Sequence, residues 1–138
     1  MKERQIFVTS NDQKRLEELL IVAEDFNYKN RDDLKSLKSE LDRAAIVDSR
    51  EVPGTVVTMN TRLRFVDLDD SQKSEVSLVF PSDADVDQDK ISVFSPVGTS
   101  LLGYSEGDTI EWDVPAGKRR IRIEKIVYQP EAAGDYHL

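Results

Sequence analysis

Apolar residues recur at three- and four-residue spacing from Ser10 to about Asp48, and at two-residue spacing from Val52 onward. In the first stretch Leu16, Leu19, Leu20, Ala23 and Phe26 share one helical face, and Leu34, Leu37, Leu41, Ala44 and Ala45 share another. Ser10 with Gln13 reads as a capping-box pair, which places the first helix start at Ser10. Asn27 to Asn30 interrupts the pattern with Tyr28 as its one apolar residue, and Asn30 is placed to cap the second helix. Two helices of about 15 to 17 residues joined by so short a loop are expected to run antiparallel as a coiled-coil hairpin, a prong of roughly 25 Å.

Period two predicts strands over Thr55–Met59, Arg62–Val66, Glu75–Phe80, Ile91–Phe94, Thr109–Val114 and Arg119–Val127. Polar clusters at Asp67–Ser71 and Ser82–Lys90 separate some of them, and Pro115-Ala-Gly117 is short enough for a hairpin turn. Pro96 to Leu102 is one short helix with Gly103 as its stop. The expected class is α+β: a helical hairpin, then a bent, mostly antiparallel sheet with Leu101 and Leu102 packed into its concavity. Val52-Pro-Gly54 marks the boundary, dividing the chain into 1–51 and 52–138.

Composition narrows the function. Acidic residues number 27 against 19 basic, for a net charge of -8, and from Arg50 onward the counts are 16 and 10. Phosphate neutralisation needs clustered cations, so direct, specific DNA binding is not expected; a partner with basic surface fits better. The absence of cysteine excludes disulfides and thiolate metal sites and suits a reducing compartment. No apolar run approaches the roughly 18 residues of a membrane span, and no signal-length apolar stretch follows Met1 to Arg4, so a cytoplasmic monomer is expected.

Stretches with the look of chemistry resolve into simpler readings. Gly98 to Ser105 has phosphate-loop spacing, but Tyr104 stands where the lysine is required. Asp83 to Asp89 imitates a calcium loop, but Gln88 replaces its glycine and Phe94 its final glutamate. His137 is the lone histidine, next to the last residue. Arg62 and Arg64, like Arg120 and Arg122, read as a solvated strand face. Glu24, Asp25, Asp32 and Asp33 gather at the prong tip, either as a carboxylate cluster able to hold Mg²⁺ or as acids favoured by a helix start. Trp112 and Phe94 read most simply as core residues, with an exposed anchor at an interface as the alternative for either. No cofactor, metal or catalytic residue is called for.

The run Lys90-Ile-Ser-Val-Phe-Ser-Pro-Val-Gly98, with Leu101-Leu-Gly103 and Gly107-Asp108, resembles the C-terminal domain of the Gre transcript-cleavage factors. Val56-Val-Thr-Met-Asn60, Leu41-Asp-Arg-Ala44 and the ending Tyr128 to Tyr136 resemble a Gre-related family, Rnk, the regulators of nucleoside diphosphate kinase. The resemblance implies an FKBP-like sheet domain. It also implies a non-catalytic regulator of bacterial RNA polymerase that grips the β′ rim of the secondary channel, competes with Gre factors, and alters nucleoside diphosphate kinase level indirectly. By similarity to the Gre docking loop, Ser95 and Pro96 are the expected contacts, with Phe94 and Val97 beside them. The Gre prong is much longer, so Asp25, Asp32 and Asp33 are not carried over as cleavage residues. The alternatives are a transcript-cleavage factor acting through that acidic tip and, by fold analogy alone, a prolyl isomerase.

Overall fold

A computed structural model describes residues 6–25, 31–114 and 117–135. The side chains of Glu24, Asp25, Asp32, Asp33, Pro96 and Trp112 lie outside the described set, as do Phe26 to Asn30, the Pro115-Ala116 turn and His137. The elements in order are β1 (Phe7–Thr9), α1 (Ser10–Asp25), α2 (Arg31–Arg43), β2 (Ala45–Val47), β3 (Arg62–Asp67), β4 (Lys73–Val79), β5 (Lys90–Ser92), α3 (Pro96–Leu101), β6 (Thr109–Val114) and β7 (Gly117–Tyr128).

The helical hairpin forms on the predicted apolar faces: Leu16, Leu20, Leu34, Leu37 and Leu41 are all buried. Its boundaries shift for a reason the periodicity did not contain. Thr9, not Ser10, caps α1, its Oγ1 accepting the Asp12 N–H at 3.1 Å. The expected second helix stops at Arg43, and Ala45 begins β2, donating its N–H to the Ile6 carbonyl at 2.9 Å. β1 and β2 pair in parallel, Phe7 against Ala45 and Thr9 against Val47. Parallel partners need a crossover between them, and here the whole hairpin is that crossover. The chain leaves and re-enters at one neck, so α1 and α2 run antiparallel.

The main sheet has five strands in the order β5-β4-β3-β7-β6. Three of its four pairings are antiparallel; β4 and β5 are parallel. β7 is the longest strand, and its pairing with β3 is interrupted by register shifts between Arg62 and Leu63 and between Arg64 and Phe65. Such bulges bend a strand and increase its twist. Leu63, Val76, Leu78, Ile110, Ile121 and Ile123 form the inner face, and Leu101 and Leu102 close over it with at most 1% exposure. One continuous apolar cluster runs from these residues into the leucines of the hairpin.

Two expected strands came out differently. Thr55 to Met59 makes a single bridge, Val56 to Ser105, and no ladder. Val56, Val57, Thr58 and Met59 are each at most 1% exposed, covered on both sides where a half-buried strand would alternate. Their amides bond to Pro53 O, Tyr104 O, Thr61 Oγ1 and Asp12 Oδ2 respectively. β5 ends at Ser92, because the Phe94 N–H turns back to Ser92 Oγ at 3.0 Å and the Ser95 N–H to Ser92 O at 3.0 Å.

The neck rests on Gly103. The Phe7 N–H donates to the Gly103 carbonyl at 3.2 Å, and a Cβ there would lie 2.7 Å from Ile6 Cβ. Its φ of +85° is also left-handed, as expected of the residue that stops α3.

Candidate functional site

The loop from Ser92 to Gly98 is built by its own side chains. Ser95 Oγ donates to Ser92 O at 2.6 Å and accepts the Gly98 N–H at 3.1 Å, capping α3. Thr99 Oγ1 donates to Val93 O at 2.7 Å, tying the first turn of the helix to the strand end. Pro96 follows the cap at the first helical position, where a missing N–H costs nothing. Gly98 packs against the Ser92 backbone so closely that a Cβ would overlap the Ser92 carbonyl oxygen.

The four expected contact residues are therefore unlike one another. Phe94 is 4% exposed and belongs to the core, which agrees with its core reading and makes it a support beneath the loop. Ser95 is half-buried with its hydroxyl committed to the cap. Val97 is half-buried and packs against the core cluster. The Pro96 backbone lies between them, at the first position of α3. Ser95→Ala should lower stability by about 1 kcal/mol through loss of the cap. A urea midpoint equal to that of the wild type would show that the cap contributes nothing.

The glycine motif is a fold element. The amides of Gly98, Thr99, Leu102, Gly103, Tyr104 and Ser105 all donate within the chain, to Ser95 Oγ, Ser95 O, Gly98 O, Val57 O, Leu101 O and Asp108 Oδ2. They make no cradle for a phosphate. Tyr104, the residue in the lysine's place, accepts a 2.7 Å hydrogen bond from Arg43 at the end of α2, and Arg43 also pairs with Glu40 at 2.7 Å. In the aspartate loop, Asp85 accepts the Asp87 N–H at 3.0 Å and bridges to Lys90. Among the described residues no group of His, Cys, Asp and Glu could hold a metal ion.

The prong acids sit on the hairpin's far end: Asp25 is the last residue of α1, and Asp32 and Asp33 are in the first turn of α2. Whether their carboxylates gather lies outside the described residues. Arg62 and Arg64 share a strand face as expected, both bonding Glu75, at 2.7 Å and 3.1 Å. Those hydrogen bonds hold the Glu75 carboxyl below its usual range. Asp67 is lowered too, first by the Asp69 N–H and then by Arg119.

The least expected feature is a buried polar seam at the base of the hairpin. Asp12 is 0% exposed; its Oδ2 accepts the Met59 N–H at 3.1 Å and its Oδ1 takes Arg15 at 2.6 Å. Burial outweighs these bonds and pushes the Asp12 carboxyl up to about 6. Beside it Thr58 donates to Glu131 at 2.6 Å, and Gln129 reaches the carbonyls of Pro53 and Val56 at 2.8 and 2.7 Å. The segment after β7 is thereby folded onto the domain. Tyr128 donates to Asp135, which with burial pushes its phenol up to about 12 and keeps it a donor. Sequence reading passed over Asp12, although it stands four residues before Leu16 and eight before Leu20, an acid on the apolar stripe. Glu131 and Gln129 carry no such signal.

Comparison with known proteins agrees with these parts. The family described as "Transcription elongation factor, GreA/GreB, C-term" matches residues 52–128, and "Rnk N-terminus" matches residues 4–47. The chain is 37% identical over 139 aligned residues to the "Regulator of nucleoside diphosphate kinase" of Escherichia coli K12, covering 100% of both. It is 34% identical to the transcription elongation factor GreA of Hyphomonas neptunium over 70% of this chain and 61% of that one. A solved structure of a GreA/GreB-type elongation factor from Nitrosomonas europaea superposes with a TM-score of 0.72 and 42% identity, over 90% of this chain and 100% of that one. These relatives bear the names of regulators and transcription factors, and no described helix is long and apolar enough to cross a membrane. With a Gre-type sheet domain and an Rnk-type hairpin on one full-length match, the chain belongs to the Rnk branch of the Gre-related regulators.

Proposed function

We propose that the protein is a non-catalytic transcription regulator that docks on bacterial RNA polymerase at the β′ rim of the secondary channel and competes there with Gre-type factors. The part from 52 to 138 is read as an FKBP-like docking domain, with the turn at Ser95, Pro96 and Val97 as its grip and Phe94 beneath it. The part from 1 to 51 is read as the prong. An effect on nucleoside diphosphate kinase would follow indirectly, through transcription, in the cytoplasm and as a monomer.

The observation that carries the reading is a preorganised loop beside a short hairpin. The loop's hydrogen bonds are satisfied internally, so it can meet a partner without paying to order itself. The hairpin is short: α1 has 16 residues and α2 has 13. At about 1.5 Å per residue that is a reach of roughly 24 Å, too little to carry the tip to a distant catalytic centre. Binding without cleavage follows, and occupancy of the channel is then the whole effect.

Immobilised protein should capture RNA polymerase from a purified preparation, and added GreA should displace it. Pro96→Ala should weaken capture while costing less than about 1 kcal/mol of stability, since no hydrogen bond is lost. No capture by the intact chain would remove the polymerase reading. Capture unaffected by Pro96→Ala would move the grip elsewhere, and prompt shortening of 3′ RNA in stalled complexes would replace it with a cleavage role for Asp25, Asp32 and Asp33.

A further inference from the structure

Three stretches far apart in sequence meet around one carboxylate. Asp12 comes from the first turn of α1, Met59 from the segment before β3, and Glu131 from the segment after β7. The groups facing Asp12 are Arg15 on its own helix, the Met59 amide, and the charge of Glu131, which with burial disfavours a second negative charge. Glu131 is itself only 7% exposed and held by Thr58. An asparagine would accept the same N–H without burying a charge, so the acid is a costly choice for a merely structural acceptor.

The seam is also where the hairpin is aimed. Among the described residues its ties to the sheet domain also include the shared apolar cluster, the neck on Gly103 and the Arg43–Tyr104 hydrogen bond at the end of α2. Asp12 is a polar tie on the α1 side. Arg15 continues it outward, its guanidinium 4.7 Å from the centre of the Phe80 ring at the end of β4. A proton on Asp12 removes both the burial cost of the charge and the repulsion from Glu131, and leaves one oxygen for the Met59 N–H.

We propose that Asp12 is a proton-sensitive positioning residue that sets the angle of the hairpin on the sheet domain, holding it tightest when protonated. Ionised Asp12 keeps Arg15 but stands against Glu131, and the hairpin samples a wider range of angles. The meaning of that angle for polymerase rests on the proposed function, but the test does not involve polymerase.

The chain has no cysteine, so Lys38→Cys on α2 and Lys125→Cys on β7, both exposed, take spin labels cleanly. Pulsed electron resonance on samples from about pH 4 to about pH 8 reads the label–label distance distribution. It should broaden as pH rises, with a midpoint of about 6. In Asp12→Asn the distribution should stay constant across the range. In Glu131→Gln the broadening should remain with its midpoint slightly lower, because burial, the larger cause, is unchanged and only the smaller push from the Glu131 charge is gone. A wild-type distribution that does not change with pH overturns the proposal, as does a change that survives in Asp12→Asn. Should Asp12→Asn not fold, a wild-type distribution that is the same at about pH 4 and about pH 8 is decisive against it.

Discussion

Gly98→Ala is expected to destabilise the protein by about 3 kcal/mol or more and to lower its melting temperature by roughly 10 °C. The added Cβ would overlap the Ser92 carbonyl oxygen and lie 2.9 Å from the Ser92 carbonyl carbon and 3.0 Å from Ser95 Oγ. Two of those three atoms are backbone, and a backbone neighbour cannot rotate away as a side-chain tip can. Relief requires β5 and α3 to part, which breaks the Ser95 to Ser92 and the Thr99 to Val93 hydrogen bonds together. Gly54→Ala is the matched control. Its Cβ would meet Ala132 Cβ at 3.5 Å, an ordinary contact, so its melting temperature should stay within a few degrees of the wild type. Equal melting temperatures for the two variants would show that the loop yields freely. Under the proposed function Gly98→Ala should also lose polymerase capture, since it displaces the turn from beneath.

Lowering the pH from about 7.5 to about 4.5 is expected to stabilise the protein, the reverse of the usual acid response. Asp12 lies near 6 in the folded chain against 3.8 unfolded, so the folded state holds that proton more tightly. Its contribution is fully favourable below 3.8 and is lost as pH rises through about 6. At about 1.4 kcal/mol per pH unit the gain is about 2 kcal/mol between about pH 7.5 and about pH 4.5, with the remainder arriving only below 3.8. Asp67 and Glu75 act with the opposite sign. Both are depressed, so their stabilisation is present above 3.8 and 4.5 and disappears as pH falls through their folded values. The two trends oppose one another once the pH falls below about 4.5. Urea midpoints across the range should show the rise in the wild type and a nearly flat line above pH 4.5 in Asp12→Asn. A wild-type midpoint that falls steadily from neutral pH, or an unchanged slope in Asp12→Asn, would contradict the assignment.

The elements that were legible in the sequence are those governed by local periodicity. The leucine stripes of α1 and α2 and the alternation of β3, β4, β6 and β7 depend on one buried face each, and apolar spacing reports a face directly. β1 and β2 were missed because three-residue strands are too short to show a period, and because Ala44 and Ala45 extend the helical spacing of α2. Thr55 to Met59 reads as a strand on two-residue spacing, whereas the segment is buried on both sides and bonds in part to side chains. At the candidate site, the Ser95-Pro96 turn and the Gly103 stop could be seen because capping and left-handed positions demand particular residues. That the Ser95 hydroxyl also donates to Ser92 O could not be seen, since that bond requires the loop to be closed first. The Asp12 seam was hidden for a related reason: its partners stand 47 residues away at Met59 and on the far side of β7 at Glu131.

The parallel pairing of β1 with β2 sets Ala45 opposite Phe7, so the hairpin leaves at Thr9 and re-enters one strand spacing across and two residues back, about 8 Å away. Everything between Thr9 and Ala45 is consequently an insert with neighbouring ends. Such an insert can grow or shrink by whole helical turns without moving the domain that carries it, and each doubling of a flexible loop adds only about 0.6 kcal/mol of closure entropy. Reach and grip are then independently adjustable quantities. A longer hairpin spliced between the same two strands would extend the reach while leaving the Ser92–Gly98 loop untouched.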